Sequence, residues 1–223
     1  MKCKYDMVVF DLDGTVLDTS EGIIAATIYT IKEHRMKMPT DAELLEFIGP
    51  PVRKKFMEYY GMDLEEGIRL GAHFRERYGS HELMKAAVYD GVFEVMKVLK
   101  DTGVRMGVAT YKGEENAKRL LLGKGFGEYL DAIYGADVTG NYTKPDMIRF
   151  CARDCGIDDI HRVAVVGDSC FDAAGAMELG CDFVAVTYGF GFRPGDPVEE
   201  PHIGVAETPE EILKYLQDRD AVK

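Results

Sequence analysis

At 223 residues, 46% hydrophobic and 30% charged, the chain can bury a full core as one domain or as two small ones. Its formal net charge of -12 argues against a nucleic acid or an anionic membrane surface as partner, so an anionic ligand needs positive charge placed locally. Five cysteines, an odd number at irregular spacing, point to a reducing cytoplasm. No apolar run reaches membrane-spanning length, and the opening residues lack the apolar stretch of a signal peptide.

The first predicted element is a strand over residues 5–10, ending in the apolar run Met7-Val8-Val9-Phe10. An unbroken helical region of about 70 residues follows it. Ile23, Ile24, Thr27, Ile28 and Ile31 hold one helical face over three turns. Pro39 breaks that pattern, and Thr40 with Glu43 makes a capping-box signature for a helix at 41–47. Gly49-Pro50-Pro51 interrupts again, and two further helices are expected at 52–60 and 63–78. From about residue 90 the rhythm becomes strand–helix alternation, with strands expected at 104–109, 132–134, 163–166 and 183–187. Helices at about 91–102, 113–123, 145–155, 172–179 and 209–217 fall between or after them.

That alternation predicts an α/β fold: a doubly wound parallel sheet covered on both faces. The all-helical stretch then reads as an inserted cap domain over 17–83, with residues 1–16 and 84–223 forming the core. A helical insertion placed after the first strand would act as a lid that excludes water and selects the ligand.

The chemistry-bearing residues gather at predicted strand ends, where open α/β sheets bind ligands. Asp11-Leu12-Asp13-Gly14-Thr15 leaves the first strand with two carboxylates two residues apart, and so on one face. Such a pair is relieved by a divalent cation or by a proton held on one member. Thr110 follows the second strand, where its hydroxyl either donates to a phosphoryl oxygen or caps a helix. Lys144 in Thr143-Lys144-Pro145-Asp146 opens a helix, offering a compact cation or a solvated surface charge. Val165-Val166-Gly167-Asp168-Ser169-Cys170-Phe171-Asp172 carries a second pair of aspartates, hard oxygen donors suited to Mg²⁺ that can also cap a helix.

These segments resemble the four motifs of the haloacid dehalogenase superfamily, and the resemblance spans the whole chain, helical insertion included. It implies a phosphatase similar to phosphoglycolate phosphatases. Asp11 would be the nucleophile and Asp13 the general acid/base, with Thr110 and Lys144 binding the phosphoryl group. Mg²⁺ would be held by Asp11, Asp168 and the backbone carbonyl of Asp13, with Asp172 as a further ligand or support. Tyr111-Lys112-Gly113 departs from the usual pattern after Thr110, which leaves the roles of these neighbours open. Arg53, after Ile48-Gly49-Pro50-Pro51-Val52, resembles a substrate-contact position, and a solvated surface arginine fits it equally. The expected partner is a small phosphorylated metabolite. A sugar phosphomutase of the β-phosphoglucomutase type and a 5'-nucleotidase share these motifs. A receiver-like phospho-signalling protein also combines Asp, Thr, Lys and Mg²⁺ on a parallel sheet, but at about half this length and with no need for Asp13.

Overall fold

The computed structural model describes residues 2–137 and 141–218. Residues 1, 138–140 and 219–223, which the expected core segments include, lie outside the described residues. In chain order the elements are β1 (Met7–Phe10), β2 (Leu17–Asp18), α1 (Ser20–Glu33), α2 (Asp41–Leu45), α3 (Val52–Tyr60) and α4 (Leu64–Arg77). They continue as β3 (Ala87–Val88), α5 (Val92–Asp101), β4 (Arg105–Gly113), α6 (Glu114–Gly123), β5 (Ala132–Ala136) and α7 (Lys144–Asp154). The last are β6 (Val163–Gly167), α8 (Cys170–Leu179), β7 (Asp182–Val186), β8 (Gly204–Ala206) and α9 (Ile212–Leu216). No helix among the described residues is long and apolar enough to cross a membrane.

The chain divides into two compact units, Met1–Leu17 with Val88–Lys223, and Asp18–Ala87. In the first unit six strands form one sheet in the order β5-β4-β1-β6-β7-β8, every neighbouring pair parallel. A parallel sheet covered on both faces needs strands that are apolar throughout, and β1 and β6 are buried at every residue. Met7, Val9, Val163 and Val165 on one face pack with Met147, Ile148 and Cys151 of α7 and with Ala173 and Ala176 of α8. The chain runs from β1 out through β4 to β5, then returns to β6 on the other side of β1. Phe10 stands level with both Val108 and Val166, so the loops leaving β1, β4 and β6 emerge side by side at this switch point.

Several details depart from the sequence expectation, among them the two-residue strands β2 and β3, which were not expected. Strand β4 runs on to Gly113 instead of stopping at 109, because it bulges. Thr110 pairs with Gly135 and Gly113 with Ala136, so three steps of β4 match one of β5. An edge strand, β8, was not expected; its three residues, Gly204-Val205-Ala206, are too few to show a strand's alternation. Residues 209–217 open as a 3-10 turn at Pro209–Glu211 before α9 begins.

The second unit is helical. Thr40 and Glu43 form the capping box at the start of α2, each accepting from the other's backbone N–H. Gly22, Ile23, Ala26 and Ile31 of α1 and Leu70, Gly71 and Phe74 of α4 are buried, with Phe56 of α3 edge-on to Phe47 at 5.2 Å. After α4 a single π-helical turn, Tyr78–Glu82, carries the buried Glu82, which is paired with Arg77 and lies 2.9 Å from Lys85. A buried carboxylate without such partners would be strongly destabilising.

Candidate active site

The switch point of the sheet collects Asp11, Asp13, Thr110, Lys112, Lys144, Asp168 and Asp172. Asp11 follows β1 directly, and its N–H is held by the Val166 carbonyl at 2.9 Å. Asp168 follows β6, and Thr110 stands in β4 just before the bulge. Lys144 is the first residue of α7, whose start is set by Thr143 and Asp146 in a reciprocal capping box with Pro145 in the first turn.

Lys144 is 3% exposed, so its ammonium must find partners inside the protein. Its Nζ lies 2.7 Å from Asp11 Oδ1, 2.7 Å from Asp172 Oδ1 and 2.9 Å from the Ala109 carbonyl. These three acceptors match the three donors of an ammonium group. Burial alone would lower its pKa, but the charges of Asp11 and Asp172 outweigh that and raise it. The Tyr111 ring lies beside the same ammonium, 5.3 Å from its centroid. Close packing behind Lys144 needs Gly175, where a Cβ would come within 2.7 Å of the lysine Cγ.

A third carboxylate, Asp168, joins the two that contact Lys144. Asp11, Asp168 and Asp172 are buried and each presents an oxygen within 4.8 Å of the others. Burial, together with the neighbouring Asp172, Asp168 and Asp13, pushes Asp11 well above the usual carboxylate range despite Lys144. Burial and the charge of Asp172 push Asp168 up to about 7, against the lowering effect of two backbone N–H groups. Those donors are Phe190 and Gly191, at 2.7 and 3.1 Å from Asp168 Oδ2. The surplus negative charge and the hard oxygen donors fit a divalent cation such as Mg²⁺.

Asp172 does two jobs. Its Oδ2 accepts from the Ser169 N–H at 3.1 Å and hydroxyl at 2.6 Å, which starts α8, while its Oδ1 faces Lys144. Asp13 stands apart from the three-carboxylate cluster: its Oδ1 is 3.0 Å from Lys112 Nζ, with both side chains nearly buried. The Lys112 N–H in turn donates to Thr110 Oγ1 at 3.2 Å, which leaves the threonine hydroxyl proton to donate elsewhere. Thr110 is itself buried.

Of the residues singled out in the sequence, the structure brings together Asp11, Asp13, Thr110, Lys144, Asp168 and Asp172. Arg53 belongs to α3 in the helical unit, where its Cβ is 3.1 Å from the position of a Cβ on Gly71. Two contributors were given no role from the sequence. One is Lys112, whose role the sequence left open. The other is the 188–191 loop, whose amides hold Asp168 and whose glycines let it approach. A Cβ on Gly189 would lie 2.5 Å from Asp168 Oδ2, and one on Gly14 would lie 2.2 Å from it. Gly14 also has φ +81°, a left-handed conformation that suits glycine. The signal available was Gly189-Phe190-Gly191 just after a strand, at the sheet edge where the aspartates gather.

Comparison with known proteins gives a family match and several similar chains. The model of a family described as haloacid dehalogenase-like hydrolase matches residues 8–186. A 5'-nucleotidase of Pseudomonas aeruginosa is 33% identical over 84% of this chain and 85% of its own length. A tyrosine-protein kinase, PtkA, of Mycobacterium tuberculosis is 29% identical over 83% of this chain, which spans 63% of that protein. Among solved structures, a predicted phosphatase from Clostridium acetobutylicum superposes with a TM-score of 0.84 at 32% identity, covering 94% of this chain and 99% of that one.

Proposed function

The chain belongs to the haloacid dehalogenase-like hydrolases, and from that premise we propose that it is a Mg²⁺-dependent phosphatase of a small phosphomonoester, working through an aspartyl-phosphate on Asp11. The observation that carries this reading is the buried meeting of Lys144 with Asp11, beside a separately held Asp13. A nucleophile and a proton donor two residues apart, with different partners, are what hydrolysis of an alkyl phosphate needs.

Asp11 attacks phosphorus in line, and the bond from phosphorus to the leaving oxygen breaks. The carboxylic acid of Asp13 gives its proton to that oxygen, and the alcohol departs. Asp13, now a carboxylate, takes a proton from water as the water oxygen bonds to phosphorus. The Asp11–phosphorus bond breaks, releasing inorganic phosphate and restoring both side chains. Lys144 holds Asp11 in place and supplies positive charge to the phosphoryl group, reaching it directly only by exchanging one of its three acceptors. The Thr110 hydroxyl donates to a phosphoryl oxygen. Asp11, Asp168 and the Asp13 carbonyl would hold Mg²⁺, with Asp172 in support. When bound, the ion supplies charge that offsets the repulsion between Asp11 and the phosphate dianion.

The substrate is a small phosphorylated metabolite, with 5'-nucleotides and phosphoglycolate the first to try. The setting is the cytoplasm, since five free thiols suit a reducing compartment. The test is phosphate release from a panel of alkyl phosphomonoesters with and without Mg²⁺, with borohydride trapping of the phosphoenzyme. Mg²⁺-dependent release and a label on Asp11 are expected. A folded protein that releases phosphate from none of them would overturn the reading. Transfer from Asp11 to a hydroxyl, of a sugar phosphate or a protein, is the second reading, and the relative named as a tyrosine kinase favours it. It would show as phosphoryl label passing to an acceptor without free phosphate.

A further inference from the structure

We infer that Lys112 is a positioning residue for the acid/base chemistry of Asp13, holding that carboxyl in line with the leaving oxygen. The inference rests on the acid/base reading of Asp13 and deepens it. Its basis is geometric. Lys112 Nζ lies 3.0 Å from Asp13 Oδ1, with side-chain exposures of 7% and 13%. Oδ1 accepts from the ammonium whether the carboxyl is ionised or protonated, which leaves Oδ2 as the oxygen that carries the proton.

The lysine is fixed at its other end as well. Its backbone N–H is bound to Thr110 Oγ1 at 3.2 Å, and Thr110 is buried. The bulge in β4 makes this arrangement possible. Three steps of that strand between Thr110 and Gly113 match one step of β5. A regular strand would turn every second side chain to the same face at regular spacing. The bulge instead carries the chain past the sheet edge and aims Lys112 at Asp13. Gly135 accommodates it, since a Cβ there would meet the Lys112 carbonyl at 2.4 Å.

Asp13 sits two residues beyond Asp11 in the loop, outside the three-carboxylate cluster that Lys144 organises. A short side chain on a loop has several staggered positions open to it. Lys112 selects one of them, and through Thr110 it ties the proton donor to the phosphate-binding hydroxyl. Proton delivery depends on that placement, whereas attack by Asp11 does not.

The experiment separates the two steps by leaving group. Phosphoenzyme formation is followed in single turnover by rapid quench, with an alkyl phosphate and with p-nitrophenyl phosphate, whose phenolate leaves without needing a proton. Lys112→Met is expected to slow the alkyl reaction by about 10²-fold while changing the aryl reaction by less than about threefold. Lys112→Arg is expected to restore most of the alkyl rate, and the spared aryl rate certifies a folded site. Lys112→Gln provides a second neutral variant. Asp13→Asn is run alongside and should show the same leaving-group selectivity. Equal losses with both substrates, or no loss, in the Lys112 variants while Asp13→Asn stays selective would overturn the role of Lys112. Absence of selectivity in Asp13→Asn would overturn the acid/base reading itself, and this inference with it.

Discussion

The Lys144 ammonium lies 2.7 Å from Asp11 Oδ1 across 133 residues of sequence, and the same nitrogen lies 2.7 Å from Asp172 Oδ1. One buried cation therefore links the end of β1 to the start of α8. Replacing Lys144 with Met strands two buried carboxylates. We expect a loss of about 3–5 kcal/mol in urea unfolding, as for a broken buried ion pair. Mg²⁺ should recover part of this, because it satisfies the same oxygens. A stability equal to wild type would mean that the pair contributes nothing to the fold.

Asp11→Asn should bring turnover to background under saturating Mg²⁺ while leaving the protein folded. Its carboxyl group sits among like charges in a buried site, so the amide relieves repulsion even as it weakens the tie to Lys144. Circular dichroism and steady-state kinetics on the same preparation check both halves. Wild-type-like turnover would exclude Asp11 as nucleophile.

A pH dependence follows from Asp168, raised to about 7 by burial and the charge of Asp172. The unfolded carboxyl titrates near ~4. Between those values the folded protein binds the extra proton, so stability falls as pH rises through about 7. Chelated protein should thus melt at a lower temperature at pH 8 than at pH 5. Asp11 shifts in the same direction and adds to the slope. Mg²⁺ competes with the proton, so its stabilising effect should be larger at pH 8. Asp168→Asn should flatten the chelated profile. A chelated melting temperature that rises from pH 5 to pH 8 would contradict the crowding of these carboxylates.

Gly14→Ala tests how closely the loop must approach Asp168. The residue has φ +81°, and its added Cβ would fall 2.2 Å from Asp168 Oδ2. The conformation alone costs about 1–3 kcal/mol for a non-glycine residue. The displaced carboxylate should also raise the Mg²⁺ concentration needed for half-maximal activity. Activity titrated with Mg²⁺ reads this, and an unchanged requirement would show that Asp168 tolerates the shift.

Much of the architecture is legible because buried parallel strands must be apolar and end where polar residues begin. Met7-Val8-Val9-Phe10 before Asp11 and Val163–Val166 before Gly167-Asp168 satisfy that rule. Pro51 and Gly61 bracket α3 at Val52–Tyr60 because they stop a helix from either end. Strand β8 was hidden because three residues, two half-buried and one fully buried, are too few to show a periodicity. The link between Lys112 and Asp13 was hidden for a different reason. It depends on a bulge, and a bulge is a matter of register between strands that no single segment encodes. The amides of Phe190 and Gly191 are marked only indirectly, by the glycines beside Phe190, since every residue has a backbone N–H and only the fold decides where it points.

The double use of Asp172 ties two parts of the molecule to one side chain. One oxygen begins α8 through Ser169 and the other faces Lys144. Loss of this residue would be felt twice, as a helix without its first-turn bonds and as a buried lysine with one acceptor fewer. The start of a helix and the balance of a buried charge therefore stand or fall together at one position.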